Sequence, residues 1–133
     1  MEKNKVICIV DDLEINQFIL KTIIRKINTE IKTLSYYDGE EALAALVQLN
    51  ANKEELPDII LLDINMPVKD GWQFLDDFFK IKSKFVKEME IYILSSSDAP
   101  DDIKKSKTYK DIAGYLCRPI EAETLKKIVE KDA

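Results

Sequence analysis

Apolar runs alternate with amphipathic segments five times along this chain, and few folds accept that order. Val6 to Val10 is a continuous apolar run, and so is Ile59-Ile60-Leu61-Leu62 within the stretch Asp58 to Asp63. Such runs suit strands buried on both faces. Ile31 to Tyr37 is β-rich, Ile91 to Leu94 reads as a fourth strand, and Ala113 to Cys117 as a fifth. Between them lie helical patterns. Ile15, Ile19, Ile23 and Ile27 recur every four residues as a helix stripe. Ala42, Leu43, Leu46 and Leu49 share one side of a second helix, with Asp38 and Glu41 spaced as a capping box. Asp70-Gly71 opens a third helix with Leu75, Phe78 and Phe79 inward, a short polar helix lies near Pro100, and Glu121 to Lys131 forms the last. Strands alternating with single helices predict an α/β fold: a doubly wound parallel sheet with helices on both faces, in one domain spanning residues 1–133.

Composition narrows the function. A hydrophobic fraction of 46% over 133 residues supports a packed core rather than a disordered chain. The net charge of −5 argues against nucleic acid as a direct ligand, and the basic stretch Lys104 to Lys110 reads as a solvated helix face. No signal-peptide pattern opens the chain, and no run nears the roughly 20 apolar residues of a membrane span, so a cytoplasmic protein without a membrane partner is expected. Cys8 and Cys117 sit in strand-like runs and read as buried small side chains, not a disulfide. The chain has no histidine. That excludes Ser-His-Asp and Cys-His catalysis, histidine-ligated zinc and phosphohistidine on this chain.

Carboxylates, hydroxyls and cations remain, and they gather at strand ends. Asp11 and Asp12 follow the first strand, and Asp63 ends the third. Open parallel sheets bind ligands beyond the carboxyl ends of their strands. If these strands are neighbours, three acids converge. Two unit charges about 4 Å apart repel by about 4 kcal/mol at an effective dielectric of 20, and three such contacts approach roughly 10 kcal/mol. A proton or a cation must relieve that. Hard oxygen donors without histidine or thiolate favour Mg²⁺, which leaves a position open for a phosphoryl oxygen. Ser95 follows the fourth strand and could donate to such an oxygen; Arg118 follows the fifth and could neutralise either the acids or a phosphoryl group.

These residues resemble the receiver domain of two-component response regulators. The resemblance covers essentially the whole chain. It is carried by VDD at 10–12, by LLDINMP with Gly71 four residues after Pro67, by LSSS at 94–97 and by GYLCRP at 114–119. It implies a flavodoxin-like (βα)5 fold with strand order 2-1-3-4-5. It implies that Asp63 is the phosphoacceptor, taking its phosphoryl group from a sensor histidine kinase or phosphotransfer protein. Asp11 and Asp12 match the acid pair that holds Mg²⁺ with Asp63, and Asn65 matches the position whose backbone carbonyl also binds the metal. Ser95 matches the switch hydroxyl and Tyr115 the switch aromatic. Met66-Pro67 and Gly71 look like the turn that shapes the acceptor loop. The family places lysine where this chain has Arg118, and the matching bond to Pro119 is cis. The output surface implied is helix four, strand five and helix five, about residues 98–131, biased between two states and read by a downstream protein. The protein is then a monomer or a weak phosphorylation-dependent dimer, and no enzyme beyond its own phosphorylation and dephosphorylation. It is either a complete regulator or a receiver from a longer chain.

Two other readings use the same residues. One is a binding module that never turns over, for which Arg118 is the support. The other is a Mg²⁺-dependent phosphatase with an aspartyl nucleophile, against which stand the asparagine at position 65 and the lack of a cap insertion.

Overall fold

The structure, a computed structural model, describes residues 5–66, 70–95 and 100–130. Five strands, β1 (Val6–Val10), β2 (Lys32–Tyr36), β3 (Ile59–Asp63), β4 (Glu90–Ser95) and β5 (Ile112–Cys117), form one sheet in the order β2-β1-β3-β4-β5. Every pairing is parallel. Five helices connect and flank them: α1 (Glu14–Ile27), α2 (Gly39–Leu49), α3 (Gly71–Ile81), α4 (Pro100–Ser106) and α5 (Ala122–Glu130). The doubly wound arrangement expected from the alternation is the one observed.

The continuous apolar runs explain the layering. Successive strand residues point to opposite faces, so one run supplies two cores. Cys8, Val10, Ile60, Leu62, Ile91 and Ile93 face α2 and α3, where Ala42, Leu46, Phe74, Leu75 and Phe78 cover them. Ile7, Ile9, Ile59, Leu61 and Leu94 face α1 and α5, meeting Leu20, Ile24, Leu125, Ile128 and Val129. A register shift where β4 pairs with β5 changes the parity, so Ile112 and Tyr115 both lie towards the α3 side.

Three expected details differ. Helix α1 forms, but its buried residues are Gln17, Leu20 and Ile24, while Ile15 and Ile19 are exposed. A strict four-residue repeat overshoots the 3.6-residue turn, so the isoleucine stripe winds around the helix and only Ile23 and Ile27 reach the core. At α2, Asp38 accepts from Glu41 N–H as expected, but the Glu41 carboxylate accepts from Tyr37 N–H, one residue further out than a reciprocal box requires. The full capping box occurs instead at α3, between Asp70 and Gln73. Cys117 is exposed, against the expectation of burial, because β5 is the edge strand; Cys8 is buried, and neither forms a disulfide.

An aromatic seam joins α3 to the segment after α4. Trp72 and Tyr109 stack with ring centroids 5.7 Å apart, and Phe79 stacks on Tyr109 at 6.1 Å. The Tyr109 hydroxyl donates to Asp76 at 2.8 Å, and Lys105 of α4 lies 5.0 Å from the centre of the Trp72 ring.

Candidate functional site

Parallel pairing puts the carboxyl ends of all five strands on one edge. Val10 pairs with Leu62, so Asp11, just beyond β1, lies beside Asp63 at the end of β3. Ser95 ends β4 and pairs with Cys117, and the Arg118 N–H donates to the Ser95 carbonyl at 2.8 Å. Asp11, Asp12 and Asp63 each bring a carboxylate oxygen to within 4.8 Å of the other two. The convergence expected of the three acids is thus present.

Each acid is held by its own local structure. Asp11 is fully buried, and its Oδ1 accepts from the Leu13 N–H at 3.0 Å and the Asn16 side-chain amide at 3.3 Å. Asp63 Oδ1 accepts from the Asn65 N–H at 3.1 Å. Gly71 lies against the residue that follows Asp63: its N–H donates to the Ile64 carbonyl at 3.2 Å. A Cβ on Gly71 would stand 2.6 Å from Ile64 Cα and 2.8 Å from the Asp63 carbonyl oxygen. Only glycine lets the start of α3 press this closely on the end of β3. Pro67 and residues 96–98 lie outside the described residues.

Arg118 supplies the cation. Its guanidinium contacts Asp11 Oδ2 through Nη2, and Nη1 lies 3.6 Å from Asp63 Oδ1. The Arg118–Pro119 bond is cis. Burial pushes the Asp63 carboxyl up to about 6, and the charges of Asp11 and Asp12 push the same way. The Asn65 N–H and the Arg118 charge oppose them. Burial therefore dominates, and a carboxylate poised near neutrality results.

Ser95 is fully buried at the end of β4, and Tyr115 is half-buried against the α3-side core. Asn65 is exposed beside Asp63. Gln17 is the residue that sequence reasoning missed. It is fully buried, and its side-chain amide donates to the carbonyls of Ile9, Asp11 and Tyr36 at 3.0–3.2 Å, tying α1 to the ends of β1 and β2 behind the acid pair. Its position three residues before Leu20 and seven before Ile24 places a polar residue on the buried helix face, which is the signal that could have found it.

The donor set fits a hard divalent cation. All the donors are carboxylates that one ion can touch together, and three ionised acids with one guanidinium leave a formal charge that one divalent ion cancels. A doubly wound α/β domain with an acid triad on its carboxyl edge defines a module of flavodoxin-like architecture with a candidate hard-cation site. The response regulator receiver domain family matches residues 7–130, and the chain belongs to it. A two-component response regulator from Cytophaga hutchinsonii superposes with a TM-score of 0.86 at 30% identity, covering 98% of this chain and 97% of that one. The phosphorylated cyanobacterial phytochrome response regulator RcpA gives 0.76 at 28% identity, covering 97% and 91%. The probable methanogenesis regulatory protein FilR2 of Methanothrix harundinacea is 29% identical over 94 residues, 71% of this chain and 59% of that protein. The chain spans between about half and three-fifths of the first two curated relatives it matches. No helix among the described residues is long and apolar enough to cross a membrane.

Proposed function

We propose that this receiver domain accepts a phosphoryl group on Asp63 from a phosphohistidine donor and signals through the face formed by α4, β5 and α5. The observation that carries the reading is the convergence of Asp11, Asp12 and Asp63 at the carboxyl edge, with Arg118 against two of them. An Asp63 oxygen attacks phosphorus, the P–N bond to the donor imidazole breaks, and that nitrogen keeps the electron pair and takes up a proton. The product is an acyl phosphate. Asp11, Asp12, Asp63 and the Asn65 backbone carbonyl would hold Mg²⁺. When bound, the ion supplies charge neutralisation to the phosphoryl oxygens. Ser95 donates to one of those oxygens, and Tyr115 turns inward as the switch aromatic. Arg118 takes the role of the family's lysine.

The donor is a histidine kinase or phosphotransfer protein, and α1 offers it a landing surface. Leu13, Ile15, Phe18 and Ile19 are about half or more exposed at its amino-terminal end, an apolar cluster beside the acids. A hollow of about 290 Å³ adjoins them, lined in part by Ile19, Leu20, Pro119 and Ile120. The test is intact-protein mass after incubation with phosphoramidate, a small P–N donor, and Mg²⁺. One added phosphoryl group is expected, lost in Asp63→Asn and in EDTA. An adduct at the native position that survives Asp63→Asn would sink the acceptor assignment.

A further inference from the structure

Both carboxylate oxygens of Asp11 are already engaged. Oδ1 serves the Leu13 N–H and the Asn16 amide, and Oδ2 is held by Arg118. Oδ1 already accepts two hydrogen bonds, so Oδ2 is the oxygen Asp11 has left to offer a metal ion or its water. The same guanidinium reaches towards Asp63, so its fork bridges two of the three acids of the proposed metal site. A lysine ammonium is a point charge on a flexible stem and can turn from one carboxylate to the other; a planar guanidinium holds two partners at once. Arg118 is also anchored at its backbone, where its N–H binds the Ser95 carbonyl, and its side chain is mostly buried.

We propose that Arg118 is a resident competitor for the divalent cation. Ion and guanidinium exchange on Asp11 Oδ2, and the displaced fork turns to Asp63, where it meets the incoming phosphoryl oxygens. Metal-free protein is thus held closed by its own arginine. Metal loading and release of Arg118 are one event, and each phosphoryl group arriving at Asp63 strengthens metal binding by drawing the guanidinium away from Asp11. The last step rests on the phosphoacceptor reading above; the competition itself needs only the acid cluster.

The experiment is calorimetric titration of MgCl₂ into the full chain and into Arg118→Lys at matched ionic strength. The variant keeps the charge, so a general repulsion of the ion by a nearby cation predicts no change. Competition by the fork predicts at least about fivefold tighter Mg²⁺ binding in Arg118→Lys, the scale of one part-buried ion pair. A second readout uses unaltered protein labelled with ¹⁵N. Arg118 Nη–H signals set by the Asp11 contact should be seen without Mg²⁺ and should shift on saturation, as the fork leaves Asp11 for Asp63. Equal affinities, or Arg118 signals that do not move on saturation, would overturn the competition while leaving phosphoryl transfer to Asp63 intact. Absence of Mg²⁺ binding by both proteins would overturn the metal site and the competition together.

Discussion

Replacing Asp63 by asparagine should stabilise the metal-free protein at neutral pH. The Asp63 side chain is almost wholly buried, and its carboxyl is raised from 3.8 to about 6, with burial as the largest cause. Between those two values the folded protein binds more protons at this site than the unfolded chain. Stability therefore falls as pH rises through that window, and the loss is complete above the folded value. That rise corresponds to about 3 kcal/mol of penalty at neutral pH. Asparagine carries no such penalty. Its oxygen can still accept from the Asn65 N–H, but its new amide donors need partners in a buried site, which lowers the expected gain to about 1–2 kcal/mol. Urea unfolding in EDTA should show the midpoint of Asp63→Asn raised by up to about 1 M at pH 7.5, taking a slope of roughly 2 kcal/mol per molar. The gain should shrink slightly at pH 6 and turn into a small loss near pH 4, where only the cost of the amide donors remains. A midpoint unchanged at pH 7.5, or a gain of equal size at pH 4 and 7.5, would refute ionisation of Asp63 as its source.

Gly71→Ala should destabilise by about 1–3 kcal/mol in the same assay, because the added Cβ overlaps backbone at Ile64 and Asp63 that cannot move aside cheaply, and its phosphoryl uptake should slow. Gln17→Leu leaves buried carbonyls of Ile9, Asp11 and Tyr36 without that donor, so it should cost about 2–3 kcal/mol in urea unfolding and weaken Mg²⁺ binding in calorimetry. In thiol labelling, Cys117 should react in the native protein, whereas Cys8, whose thiol burial pushes far up, should react only on unfolding. Asp38→Ala should lower stability by about 1 kcal/mol through loss of the α2 cap, measured by thermal unfolding.

The fold was legible because its signals are local and repeated. The apolar runs at Ile7–Val10 and Ile59–Leu62 can satisfy both faces only inside a parallel sheet. Asp11, Asp12 and Asp63 could be placed together because strand ends in such a sheet share one edge. Side-chain partnerships were less legible. Nothing in the spacing of Arg118 says that it reaches past Asp63 to Asp11, since that depends on the length of its fork and on how β5 sits beside β4. Gln17 was obscured by the isoleucines around it, whose four-residue repeat suggests a buried face that the 3.6-residue helix turns away. Cys117 looked internal because its run is apolar; its exposure comes from lying on the last strand of the sheet.

Trp72 is the only tryptophan in the chain. It follows Gly71, which presses on the strand that ends in Asp63, and its ring is shared between Tyr109 and Lys105. An indole stacked on a phenol and capped by an ammonium emits according to both neighbours. Its intrinsic fluorescence is therefore an optical gauge of the distance between α3 and α4, readable in stopped flow without any label, on the short route from the Asp63 carboxylate to the proposed output face.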